Sequence, residues 1–242
     1  RQPLEQPVML NSSKHEVNNM EFLLDTIHID DIKKYNAMIP LAGVTSNPSI
    51  VHKEGQVDFF NHLRQIREII GADKTLHVQV VGQTTEAMLA DAHTVLENVD
   101  HDVYIKVPTN EPGLAAMKQL KQEGVHITAT AIYTQIQGYL AIAAGADYLA
   151  PYFNRMVNAD INAGLVIAQL AKQIEREHAK TKILAASFHT VQQVNQAFEN
   201  GAQAATMGVD ILKTALGNPA ISAAVTGFTS DWEDIYGQGT TI

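Results

Sequence analysis

The stretch TLHVQVVGQTTEAMLADAHTVLENVDHDVYIKV, residues 75–107, decides the fold. A strand-like run (75–81) is followed by a helical pattern of apolar residues (85–99) and then by a second strand-like run (102–107). Strand, helix and strand in that order form the unit of a parallel sheet. The same alternation continues outward in both directions. EFLLD (21–25), LAGVT (41–45), HITATA (126–131), DYLAP (147–151), KILAAS (182–187) and QAATM (203–207) bring the strand candidates to eight. Further helical patterns lie at 113–124 and 162–180, and Gly124, Gly145 and Gly201 stand where helices end, as left-handed caps do.

Eight β–α units predict an α/β protein with a closed parallel (β/α)8 TIM barrel. The expected organisation is one catalytic domain over residues 20–227 with a C-terminal helical extension over 228–242. A doubly wound open sheet is the alternative, but it usually has a glycine-rich turn after its first strand, and LLDTIHIDD has none. Residues 1–19 are polar, carry two prolines and lack the apolar centre of a signal peptide, so they read as an extension outside the fold.

The net charge of −9 argues against general nucleic-acid binding and against anionic membranes, which both call for basic patches. It leaves room for an anionic small substrate, because one local cation suffices. No cysteine is present, so disulfides and thiolate chemistry are excluded, which fits a cytoplasmic protein. P-loop, dinucleotide and His-Glu-x-x-His patterns are absent, and the ten histidines show no metal-ligand spacing.

A barrel places its chemistry at the C-terminal ends of the strands. Those ends are Asp25, Thr45 to Asn47, Gln79, Lys106, Thr130, Tyr152 to Arg155, Ser187 to His189 and Gly208. Lys106 interrupts an apolar run that stops at Pro108. One reading makes it an edge-strand or snorkelling lysine. The other makes it a buried amine whose pKa falls, free to attack a carbonyl and form a Schiff base. That chemistry needs a proton shuttle, and Asp25, Gln79, Thr130 and Tyr152 are of the right kinds. Each has a plain alternative: Asp25 as a helix N-cap, Gln79 as a satisfied core amide, Tyr152 as a rim filler bonded to backbone. Arg155, Ser187 and the helix opening at Gly208 read as an anion site, the alternative for Arg155 being an ion pair with Asp160.

The runs LAGVTSNPSI (41–50), VYIKVPTNEPGLAA (103–116), TATAIY (128–133), YLAPYFNR (148–155) and ILAASF (183–188) resemble the transaldolase family in order. The resemblance covers the chain from about Met20 onward and is greatest to the small-subunit branch that holds the fructose-6-phosphate aldolases. It implies that Lys106 forms the imine and that Asp25 and Asn47 contact substrate hydroxyls, with Thr45 beside them. Arg155 and Ser187 would hold a phosphate, while Gln79, Thr130 and Tyr152 would hold a water for proton transfer. It implies sugar-phosphate substrates, no metal or organic cofactor, and a homo-oligomer, a decamer of two pentameric rings. Glutamine at 79 with tyrosine at 152 looks like the aldolase branch, where transaldolases carry Glu and commonly Phe. The alternative is a transaldolase, which passes its three-carbon unit to an aldose phosphate. Two departures stand out: His189, where relatives often have Lys or Arg, and Asn110, where they have Thr or Ser. Finally, Phe228, Trp232 and Tyr236 recur every four residues on one helical face, to dock on the chain's own barrel or on a neighbour.

Overall fold

The computed structural model describes residues 20–242, so the expectation for residues 1–19 falls outside the described residues. Eight parallel strands close into a barrel in sequence order. They are β1 (Glu21–Asp25), β2 (Leu41–Thr45), β3 (Thr75–Gln79), β4 (Tyr104–Pro108), β5 (His126–Ile132), β6 (Tyr148–Pro151), β7 (Lys182–Ala185) and β8 (Ala204–Met207). The helices around them are α1 (Ile29–Met38), α2 (Pro48–Glu54), α3 (Phe59–Ile70), α4 (Thr85–Asn98), α5 (Glu111–Gln122) and α6 (Gln135–Ala143). α7 (Phe153–Asn158), α8 (Ala163–Arg176), α9 (Val191–Glu199), α10 (Val209–Leu216) and α11 (Pro219–Tyr236) complete the set. This is the (β/α)8 barrel that the alternation predicts. No helix among the described residues is long and apolar enough to cross a membrane.

Successive residues of each strand face two different cores, which is why the strands read as nearly continuous apolar runs. Leu23, Tyr148, Leu184 and Ala204 pack together inside the barrel. Their neighbours Leu24, Leu149, Ile183 and Ala205 pack outward against the helices. At the N-terminal ends of the strands, Tyr104 stacks between His77 and His126, with ring centroids 4.9 and 4.6 Å away. The Tyr148 hydroxyl donates to Glu21 at 2.7 Å, and Lys182 pairs with the same carboxylate. His77 is fully buried between the hydroxyls of Thr128 (2.7 Å) and Thr75 (2.9 Å), and burial holds its imidazole well below the ordinary pKa, hence neutral. This end of the barrel is therefore filled, and the polar strand ends gather at the other.

The three glycine caps are as the sequence suggests: Gly124, Gly145 and Gly201 have φ of +79°, +85° and +99°. α11 begins at Pro219, with Asn218 as its cap, so the C-terminal helix starts upstream of residue 228.

Candidate active site

Lys106 sits on β4 inside the closed barrel and is 4% exposed. A closed barrel has no edge strand, and the side chain does not reach solvent, so neither plain reading of this lysine fits. Its Nζ donates to the Ser46 carbonyl at 2.8 Å, just beyond β2. Burial pushes the ammonium pKa down, and the Asp25 carboxylate opposes that shift.

Asp25 ends β1, and the register of the strands sets Thr45 beside it. The Thr45 hydroxyl donates to Asp25 Oδ1 at 2.8 Å and lies 2.5 Å from the Thr206 hydroxyl. With its proton committed to Asp25, Thr45 accepts from Thr206, giving a short chain of hydroxyls behind the carboxylate. Burial raises the Asp25 pKa, while Lys106, Thr45 and Lys53 pull it back. The cap of α1 is His28 rather than Asp25, and its side chain makes no capping bond.

Gln79 ends β3 directly opposite Lys106 in the register. Its Oε1 is buried and has no partner among the described residues, so it is not a satisfied core amide. It offers an acceptor to whatever occupies the pocket. A cavity of about 150 Å³ adjoins it, lined by Ser46, Asn47, Val51 and Phe59 among others. A wider cleft, about 1350 Å³, lies on the surface at the opposite end of the barrel around Glu21, Lys172 and Lys182, away from Lys106.

On the far side, the Thr130 hydroxyl meets the Tyr152 hydroxyl at 2.7 Å, so this phenol is bonded to a side chain of the rim. Burial is the main reason the Tyr152 pKa is raised; Thr130, Arg155 and the Ala131 backbone amide oppose it. The exposed Arg155 lies over the Tyr152 ring at 4.9 Å and donates to the Tyr133 hydroxyl at 3.4 Å. Among the described residues it has no carboxylate partner, Asp160 included, which leaves most of its donors free. Ser187 adopts φ +61°, and its carbonyl accepts from the Asn154 amide at 2.8 Å, tying the ends of β6 and β7 together. A left-handed residue other than glycine costs about 1–3 kcal/mol and marks a site where the surroundings over-determine the backbone.

Asn47 caps α2 by accepting from the Ile50 amide at 3.0 Å, which leaves its own amide protons available. Asn110, the departure in the lysine motif, caps α5 in the same way through the Gly113 amide at 2.9 Å, a task Asn performs as well as Ser or Thr. His189 is exposed, and its backbone amide donates to Gln193 at 2.7 Å.

The fold thus places Lys106, Asp25, Thr45 and Gln79 together, and links Thr130, Tyr152 and Arg155 into a second group. The sequence puts Ser46 at a strand end without a role, and it does not single out Thr206 or Tyr133. Ser46 acts through its carbonyl, which no residue type advertises, and Thr206 and Tyr133 become neighbours of the site only once the barrel closes.

A sequence profile described as transaldolase/fructose-6-phosphate aldolase matches residues 22–238. The chain belongs to that family. It is 53% identical over 213 residues to a Streptococcus pneumoniae protein named probable fructose-6-phosphate aldolase, an alignment covering 88% of this chain and 96% of that one. Among solved structures, a thiamine phosphate pyrophosphorylase from Pyrococcus furiosus superposes with a TM-score of 0.56 at 12% identity, covering 78% of this chain and 86% of the other. That likeness extends to the barrel alone.

Proposed function

We propose that this family member is a class I aldolase that cleaves fructose 6-phosphate reversibly to dihydroxyacetone and glyceraldehyde 3-phosphate. The observation that carries the reading is Lys106: a lysine buried inside a barrel, its amine held by the Ser46 carbonyl at 2.8 Å and lowered in pKa by burial. The neutral amine attacks the C2 ketone and loses water to give an imine. Protonated, that imine accepts electrons as the C4 hydroxyl loses its proton and the C3–C4 bond breaks. The aldehyde phosphate departs and a three-carbon enamine remains on Lys106. Asp25, with its hydroxyl chain, and a water held by Gln79, Thr130 and Tyr152 are the proton carriers we assign. Thr45 and Asn47 would orient substrate hydroxyls, and Arg155 with Ser187 would take the phosphate. Protonation and hydrolysis of the enamine release dihydroxyacetone; capture by a second aldehyde is instead the transaldolase outcome, which the family description also covers.

Incubation with fructose 6-phosphate alone, with glyceraldehyde 3-phosphate followed by a coupled dehydrogenase, separates the two. Sustained release is expected. Release that begins only when erythrose 4-phosphate is added would make the chain a transaldolase. Borohydride in the presence of substrate should add a stable mass to the peptide containing Lys106 and leave a Lys106→Met variant unmodified; a label elsewhere would sink the mechanism.

The same reading makes the protein a cytoplasmic homo-oligomer, in keeping with its lack of cysteine and the exposed apolar residues of α11. We take the assembly to be two pentameric rings, and light scattering at micromolar concentration gives its mass.

A further inference from the structure

Two helices open on the same pattern, Thr-x-x-Gln: TQIQ (134–137) before α6 and TVQQ (190–193) before α9. In α6 this is a complete capping box, in which Thr134 receives the Gln137 amide and the Gln137 side chain receives the Thr134 amide. The box needs only the carbonyl oxygen of the glutamine, and Glu serves it equally well. Gln137 does more with its nitrogen. Nε2 donates to the Thr109 carbonyl at 2.8 Å and to the Ala131 carbonyl at 3.1 Å, while Oε1 accepts from the Tyr133 amide at 2.9 Å.

Those partners bracket the site. Thr109 lies three residues beyond Lys106, and its amide and hydroxyl both donate to the Thr130 carbonyl, at 2.9 and 2.8 Å. Ala131 follows Thr130 and is held at φ +55°, a conformation an alanine adopts only under constraint. Its neighbour Thr130 carries the hydroxyl that is bonded to the Tyr152 phenol at 2.7 Å. Tyr133 receives Arg155. One carboxamide outside the pocket therefore joins the loop after β4 to the loop after β5 and fixes the left-handed residue between Thr130 and Ile132. Gln193 repeats the device at the next pair of loops: it accepts from the His189 amide at 2.7 Å and donates to Asn154 Oδ1 at 2.9 Å.

We propose that Gln137 is a positioning residue for the aldol chemistry, selected as Gln rather than Glu by the bridge from its amide nitrogen and not by the helix cap. The catalytic part of this inference rests on the activity proposed above. Gln137→Glu keeps the capping oxygens and removes the bridging donor; Gln137→Met keeps the length and removes both. For Gln137→Glu, whose second carboxylate oxygen meets the Thr109 and Ala131 carbonyls, the melting temperature should fall by about 3–10 °C with the fold retained. Its kcat for fructose 6-phosphate should fall about 10- to 100-fold, with KM changed by less than about threefold, because the phosphate grip is untouched. Amide hydrogen exchange should rise in segments 107–112 and 128–134. Gln137→Met should show the same fall in kcat and exchange, and decides the matter should Gln137→Glu not fold. A wild-type kcat with wild-type exchange in either folded variant would overturn the proposal, leaving Gln137 a cap. If wild-type protein itself neither cleaves fructose 6-phosphate nor traps an imine, the activity reading fails instead, and the exchange comparison still decides the bridge.

Discussion

Lys106 and Asp25 are oppositely charged groups in one dry place, and burial moves their pKa values toward each other. The amine is lowered and the carboxyl raised, while the charge of each partly restores the other. A testable asymmetry follows for Asp25→Asn. The lost carboxylate no longer holds the proton on Lys106, so the Lys106 pKa falls further. Imine formation requires the free amine and therefore rises with pH through that value; in the variant the rise should begin at lower pH. Trapping with cyanoborohydride across pH, read by mass spectrometry of the Lys106 peptide, measures it. Turnover should drop about 10²- to 10⁴-fold over the same range, as for a lost proton carrier. A rise that stays in place or moves to higher pH would show that the two groups do not interact as their burial indicates.

At the scale of elements, the turn from β4 into α5 governs where Lys106 points. Gly113 sits in the first turn of α5, and a Cβ there would lie 1.8 Å from the Pro108 carbonyl, two residues from Lys106. Alanine is the better helix former by about 1 kcal/mol, but a clash with backbone cannot be relieved by a rotamer change. With the overpacking cost at its upper end, Gly113→Ala should therefore lose about 2 kcal/mol net in urea unfolding and lose activity with it; a neutral or stabilised variant would contradict the close approach. The strand and helix pattern was legible because each β–α unit switches its apolar period, and β1 and β2 fall on their sequence bounds. The runs at 75–81 and 182–187 overshoot for a local reason. Val81 is 68% exposed, and the Val81 and Gly82 amides are taken by the Asp91 carboxylate, so the chain has already left the sheet. Ser187 likewise turns away at φ +61°. Apolar runs show hydrophobicity, not where a ladder ends. Side chains at strand ends could be read as a site because a barrel collects them; the Ser46 carbonyl and the Gln137 bridge could not, since both depend on which loops become neighbours.

For the whole molecule, the unbalanced feature is α11. It has eighteen residues and none is buried. Most of a helix's stability in a protein comes from packing its apolar face, and α11 has no buried residue to supply it. Its apolar positions also extend further than the four-residue spacing of Phe228, Trp232 and Tyr236: Ile221, Val225, Phe228, Trp232 and Ile235 recur at intervals of four and three, one continuous stripe. Phe228 is 70% and Ile235 74% exposed, and the buried Trp232 indole N–H has no partner among the described residues. Covering two such side chains contributes about 1.5–3 kcal/mol each, enough to decide an association. If α11 docks on a neighbouring copy, Phe228→Asp combined with Ile235→Asp should lower the mass measured by light scattering at micromolar concentration. Circular dichroism and imine trapping at Lys106 would show that the barrel itself is intact. A parent protein that is already monomeric, or a variant that keeps the parent's mass, would mean that the stripe is not the contact. A variant of reduced mass that still traps the imine would place the chemistry within one barrel and the assembly in the helix that follows it.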